Sequence, residues 1–300
     1  MTRLAVLSDV HGNLPALEAV LTDLRQFSVD GIIVAGDYTG GPWPVETIRL
    51  LRSLGGWMIQ GNGDADLIRY DSGDAPSSRY THRQFALMRW AYHQLDRETR
   101  AFLASLPEQC VVALDGTAPI RAVHGSPRSQ TEGLAPDRDP AGLDMALDAV
   151  DELALVCGHT HMPWMSERDG RLALNPGAVC GPLDGYLGAQ YALLTWHDGR
   201  WGVAHRAVPY NLKRLPAAFV ESGLLAEGGA LARALLLLLV TGRNVWREYL
   251  TYARHLCAEA GFDGSDAIPD DLWDRAEASF AWDGVKGEGG KGEGTRYGER

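Results

Sequence analysis

Short apolar runs recur through the first 210 residues, separated by helix-patterned or turn-forming segments. Leu4-Ala5-Val6-Leu7 and Gly31-Ile32-Ile33-Val34-Ala35 have the length and continuous apolarity of strands buried on both faces. Between them, about Leu14 to Phe27, apolar residues fall at helical spacing, so the chain opens as β-α-β. Further strands are expected at Trp57-Met58-Ile59, Val111 to Leu114, Ile120 to Val123, Leu153 to Cys157, Leu172 to Leu174, Tyr191 to Trp196 and Trp201 to Ala204. The last two flank His197-Asp198-Gly199-Arg200, whose Asp-Gly pair signals a hairpin. A β-α-β opening followed by hairpin-linked strands predicts two packed sheets with helices outside.

From about Asn211 the pattern turns helical. Asn244 can cap a helix that carries Trp246, Leu250, Ala253, Leu256, Cys257 and Ala260 on one face, with Gly261 ending it. Pro269-Asp270-Asp271 opens another, with Leu272, Trp273, Ala276 and Phe280 on its apolar side. The face at Trp246 is too large to leave wet, so this extension is expected to pack on the sheets or on a second copy of the chain. His255 falls on its polar side. From Gly284 to Arg300 the Gly/Lys/Glu-rich composition predicts disorder. The expected organisation is therefore residues 1–210, a helical extension at 211–283 and a tail at 284–300.

Composition narrows the function. With 45% apolar residues the chain can bury a sizeable core, and a net charge of −11 makes it a poor non-specific binder of nucleic acid or anionic membrane. A small phosphorylated substrate, a nucleotide among them, remains open to a local site. The four cysteines form no CxxC pair, which suits reduced thiols in a cytoplasmic protein. The apolar run before Asp9 is too short for a signal peptide, and the longest run, Ala234 to Val240, falls far below the ~20 residues of a membrane span.

The chemistry gathers at strand ends. The first strand runs into Ser8-Asp9-Val10-His11-Gly12-Asn13, the second into Gly36-Asp37, and the third into Gly61-Asn62-Gly63-Asp64. The strand at Val123 runs into His124-Gly125, and the one at Cys157 into Gly158-His159-Thr160-His161. Each cluster alone has an ordinary meaning, as a turn, a satisfied histidine or a hydrogen-bonded pair. Five such clusters, each directly after a buried strand, point to a metal site, because sites in open sheets gather beyond the carboxyl ends of strands. Oxygen and imidazole donors together suit Mn²⁺ best, with Fe or Zn²⁺ as alternatives.

These motifs, with "SDVHGNLPALEAVL", "GD…GGPWP", "VHGSP", "GHTHMP" and "NPGAV", resemble the calcineurin-like metallophosphoesterase superfamily, in a bacterial phosphodiesterase-like branch. The resemblance spans about residues 1 to 210. It implies a four-layer αββα sandwich of two mixed sheets carrying two divalent metals. Asp9, His11 and His161 would hold one metal, Asn62, His124 and His159 the other, and Asp37 would bridge them. It implies a phosphoric ester hydrolase in which a metal-bridging hydroxide attacks a phosphodiester or an activated ester. Asp37, Asn62 and His124 would serve the catalytic centre. A phosphomonoesterase and a weakly catalytic metal-binding scaffold are the rival readings.

Two positions depart from that pattern. The superfamily usually carries Gly-Asn-His-Asp where this chain has Gly63 in place of the histidine, so a phosphate contact or general acid is missing. Asp64 is a candidate for part of that catalytic role, although orienting the loop suits it better. Pro182-Leu183-Asp184-Gly185 lacks an arginine the branch usually has at the position of Leu183. Arg79 and His82, in a segment expected to be a loop, are the candidates to replace the phosphate contact, with Asn62 beside them.

Overall fold

The computed structural model describes residues 1–262 and 267–284, so the expectation for the tail lies almost wholly outside the described residues. Along the chain run β1 (Thr2–Leu7), α1 (Leu14–Leu24), β2 (Gly31–Val34), α2 (Pro44–Leu54), β3 (Trp57–Met58), α3 (Asn62–Ser72), α4 (Ser77–Thr81), α5 (Ala86–Gln94) and α6 (Arg97–Ser105). There follow β4 (Gln109–Val112), β5 (Ile120–Val123), α7 (Pro140–Asp148), β6 (Ala154–Val156), β7 (Pro163–Arg168), β8 (Arg171–Pro176), β9 (Ala189–His197) and β10 (Arg200–Val208). The C-terminal helices are α8 (Leu215–Glu221), α9 (Leu224–Glu227), α10 (Gly229–Thr241), α11 (Val245–Glu259) and α12 (Asp270–Ser279).

The strands form two five-stranded mixed sheets, ordered β10-β9-β1-β2-β3 and β4-β5-β6-β8-β7. In the first, β1, β2 and β3 are parallel neighbours, and in the second β5, β6 and β8 are. Alternation along β1 explains the layering. Leu4 and Val6 face the other sheet, where they pack with Ile120, Ala122, Val156 and Leu174. Ala5 and Leu7 face outward onto Leu17 and Val20 of α1 and Ile48 and Leu51 of α2. Beyond the second sheet, Leu143, Ala146 and Leu147 of α7 cover Val123, Leu155 and Ala173. Helix, sheet, sheet, helix is the four-layer αββα order expected.

The hairpin at Asp198-Gly199 forms as anticipated. Both residues are left-handed, with φ of 50° and 78°, and Arg200 pairs His197, as a two-residue primed turn requires. A second turn of the same kind, Asp169-Gly170, joins β7 to β8. Strand β7 is absent from the apolar pattern because it lies on an edge, half wet, with Met165 exposed.

The extension packs on its own chain. Leu215, Phe219, Ala234, Leu239 and Tyr249 share a core with Leu87, Trp90 and Ala91 of α5. The Asn244 side chain accepts from the Arg247 amide at 3.1 Å, the expected cap of α11. Ala253, Leu256 and Cys257 on the apolar face are buried, and His255 is exposed beside Glu259. No helix among the described residues is long and apolar enough to cross a membrane.

Candidate metal centre

Parallel neighbours put their carboxyl ends on one side, so β1, β2, β3, β5 and β6 deliver their trailing residues to one place. Backbone bonds lock the loops together: the Asp9 amide donates to the Gly36 carbonyl at 3.1 Å, and the Gly158 amide to the His124 carbonyl at 2.7 Å. Glycine is obligatory at 61, because a Cβ there would collide with the Asp37 carboxylate. Side chains that normally avoid left-handed backbone adopt it here. Asp9, His11, Asp37, His159 and His161 have φ between 42° and 64°. Among described non-glycine residues only the two hairpin aspartates share that conformation.

The donors converge. One atom from each of Asp9, His11 and His161 lies within 4.8 Å of the others, and the same holds for Asp9, Asp37 and His124. Asn62 Oδ1 stands 3.0 Å from His124 Nε2, and Asp37 Oδ2 lies 3.5 Å from His124 Nε2 and 3.7 Å from His11 Nε2. His159 sits outside both tight groups, its ring centroid 5.3 Å from that of His124. Its backbone amide donates to Asp9 Oδ2 at 3.0 Å.

Three imidazoles are oriented by backbone carbonyls. The Nδ1–H groups of His11, His124 and His161 donate to Thr39, Ala35 and Gly181 at 2.9, 2.6 and 2.9 Å. A carbonyl can only accept, so in the neutral imidazole each Nε2 is the lone-pair nitrogen and faces the centre. His11 Nε2 and His161 Nε2 then face each other at 3.2 Å, and the buried Asp9 Oδ1 has no hydrogen-bond partner. An orphaned carboxylate oxygen ringed by lone pairs fits cations, and the mixed N/O set suits divalent transition metals.

The electrostatics agree. Burial pushes the Asp9 and Asp37 carboxyls up, yet His161 beside Asp9 and His124 beside Asp37 outweigh it. Asp9 is held at about 2, and Asp37 is also held far below the usual range. Burial opposes charge on His124, but Asp37 and Asp9 overcome it and raise that imidazole to about 10. Burial lowers His11, and burial followed by the charge of His124 lowers His159. A pocket that keeps its carboxylates ionised and draws a proton onto a buried imidazole carries surplus negative charge.

Asp64 is buried behind the centre as the third residue of α3. It accepts from the amides of Gly61 at 2.8 Å, Asp37 at 2.9 Å and Tyr38 at 3.1 Å. Burial and the nearby Asp37 charge push its carboxyl up to about 7, against three donors that favour the ionised form. It is buried and outside the cavity lining, a place suited to orienting the loop. Gly63 donates its amide to Asp37 Oδ1 at 2.9 Å and lines the cavity over the centre.

Arg79 and His82 do not reach the site: Arg79 lies in α4 and His82 is the extended residue directly after it. Arg79 lies 3.9 Å over the Phe85 ring and 3.4 Å from Asp66, while the His82 ring contacts Thr81 at 3.1 Å. Neither lines the cavity, and Gln84 and Phe85 take that place.

Asn175 is a positioning residue that the motif reading left without a role. Fully buried, it donates to the Gly158 carbonyl at 2.6 Å and Thr160 Oγ1 at 3.1 Å, so it pins the loop bearing His159 and His161. An asparagine at the end of an apolar strand, directly before Pro-Gly, is the signal that could have revealed it. Leu183, at the missing arginine's position, lines the cavity.

Residues 2–199 match the calcineurin-like phosphoesterase superfamily domain. A metallophosphoesterase from Sphaerobacter thermophilus is 31% identical with a TM-score of 0.65, covering 81% of this chain and 99% of its own. A protein of Pyrococcus horikoshii OT3 shares the fold at 22% identity and a TM-score of 0.67, over 81% of this chain and 99% of its own. A protein of Methanocaldococcus jannaschii is 29% identical over 240 residues, 74% of this chain and 93% of its own. The chain belongs to the calcineurin-like phosphoesterase superfamily.

Proposed function

We propose that the protein hydrolyses phosphoesters at a two-metal centre, with diesters and esters of good leaving groups as its better substrates. The observation that carries this reading is the pairing of two converging donor groups with a bare Gly63 lining the cavity. Bound divalent cations, Mn²⁺ first among candidates, would generate a nucleophile from water at neutral pH and stabilise charge on the phosphoryl oxygens.

The chain's own residues set up that chemistry. Asp9, His11 and His161 form one half of the cradle, and His124, Asn62 and His159 the other, with Asp37 between. The Gly63 amide and the positive end of α3 steady the Asp37 carboxylate. Among described residues lining the cavity outside this set, none offers an acid to a leaving oxygen. Gln84 and Asn244 are neutral amides, and Arg254 presents a guanidinium, a charged hydrogen-bond donor. Leaving groups must therefore depart with little help.

The test assays Mn²⁺-supplied protein on bis-p-nitrophenyl phosphate, p-nitrophenyl phosphate and a panel of nucleotides, with Asp37→Ala as control. The diester should turn over faster than the monoester, and the variant should lose activity and metal together. Equal rates for wild type and Asp37→Ala would refute the proposal.

A further inference from the structure

The metal centre opens into a cavity of about 540 Å³, within the ~300–1,000 Å³ range of sites that hold drug-sized molecules. Its walls differ sharply in chemistry. At one end stand His11, Asp37, Asn62, His159 and His161. The remainder is mostly aliphatic and aromatic, and much of it comes from the helical extension. Leu231, Leu235 and Leu238 of α10 follow i, i+4, i+7 spacing and present one helical stripe to the space. Trp246 and Leu250 do the same from α11, one turn apart. Across from the extension, Leu67 of α3 and Met88 of α5 complete the wall. Close-packed interiors leave few voids larger than a water molecule, so a cavity of this size between otherwise packed helices is a shaped space.

We infer that the cavity takes the apolar group of the substrate, so that the preferred phosphoesters carry a bulky alkyl or aryl group. This rests on the phosphoesterase reading, since the phosphoryl group lies at the metals and its ester extends over the leucine stripes. A phosphate bearing only small polar esters would leave Leu235, Trp246 and Leu250 facing water. An apolar ester covers them. The extension, whose described residues supply no donor to the metal centre, thereby acts as the specificity element.

The test keeps the chemistry constant and varies only the spectator ester. Mn²⁺-loaded protein is assayed on p-nitrophenyl methyl, butyl and octyl phosphates below their critical micelle concentrations. Full burial of a methylene is worth about 0.8 kcal/mol, or roughly fourfold in kcat/KM. At half that burial free energy, butyl should exceed methyl by roughly tenfold and octyl by more. Leu250→Gln, at a partly buried position and with little change of volume, should cut the octyl-to-methyl ratio by about tenfold or more. Competition by octylphosphonate against methylphosphonate, read as direct binding, provides an arm independent of turnover. Hydrolysis with no dependence on chain length and equal binding of the two phosphonates overturns the inference and leaves the proposed function standing. No hydrolysis of any ester, with octylphosphonate still bound more tightly, overturns the proposed function and supports the cavity's preference. A chain-length preference that survives Leu250→Gln and a second variant, Trp246→Ala, unchanged places the apolar site elsewhere and also overturns the inference.

Discussion

Gly63→His restores a side chain where the superfamily usually has one, and the structure sets what it would cost. Gly63 is the second residue of α3 and does not occupy left-handed backbone, so a Cβ carries no conformational penalty of that kind. The added Cβ would lie 3.2 Å from Asp37 Oδ1, tighter than ordinary contact by a few tenths of an ångström, and 3.6 Å from its Cγ, an ordinary contact. Overpacking of that degree costs about 1 kcal/mol. The Gly63 amide that donates to Asp37 is kept, since every residue but proline retains it. Against that cost, a positioned general acid contributes about 10²–10⁴-fold, or roughly 3–5 kcal/mol, and most when the leaving group is poor. Wild type should therefore show a steep fall of kcat/KM with leaving-group pKa across aryl and alkyl diesters. Gly63→His should flatten that slope, accelerating alkyl esters by at least tenfold while p-nitrophenyl esters change little. Metal content is measured in both proteins, because a displaced Asp37 would mimic a failed acid. A flat series in wild type would refute the reasoning, since it requires an acid that the cavity does not display. His82 does not supply that acid, being outside the cavity wall.

Three further perturbations bear on the centre itself. Asn175→Ala removes the donors to Gly158 and Thr160 and should cost about 1–3 kcal/mol in denaturant unfolding, with metal affinity reduced ~10–100-fold in titration. Asp64→Asn leaves one acceptor oxygen for three amides and turns an N–H toward a donor, so unfolding should be easier by about 2 kcal/mol and Asp37-dependent metal retention weaker by metal analysis. In chelated protein the His124 imidazole is raised from 6.5 to about 10 by Asp37 and Asp9, against burial. A basic group with a raised folded pKa stabilises fully below its unfolded value and loses that contribution as pH rises through the folded one. The melting temperature of chelated protein should therefore decline between about pH 6.5 and 10, and metal uptake should release protons and tighten across the same window. A melting temperature that is flat over that range would remove His124 from the cluster's charge balance.

What the sequence made legible follows the range of the interactions involved. Asp9, His11, Asp37, Asn62, His124, His159 and His161 each lie within a few residues of an apolar run, so local pattern locates them, and parallel pairing does the rest. Asn175 acts at a distance, through Gly158 and Thr160, and only the folded loops disclose its target. Arg79 failed as a phosphate contact for a related reason: Asp66 and Phe85 claim it in the tertiary structure. The leucines of α10 were legible as apolar but not as cavity wall. A stripe at helical spacing says that a face avoids water, and says nothing of whether protein or ligand covers it.

The backbone at the centre argues most directly against a relict scaffold. Asp9, His11, Asp37, His159 and His161 all occupy left-handed backbone, where a side chain costs on the order of 1 kcal/mol or more apiece. Together the five amount to at least about 5 kcal/mol, comparable to the whole stability of a marginal domain. Glycine at any of them would relieve the strain, at some cost in chain entropy. The strained residues are also the ones whose side chains gather around the orphaned Asp9 oxygen or line the cavity above it. Outside the two hairpin turns this conformation falls on the candidate donors alone among described non-glycine residues, and the leucine stripes beside them are spared it, as expected of a fold shaped to hold a cation. The same five positions thus provide a physical test of function: a chain with no use for a cation would gain stability by giving up these side chains.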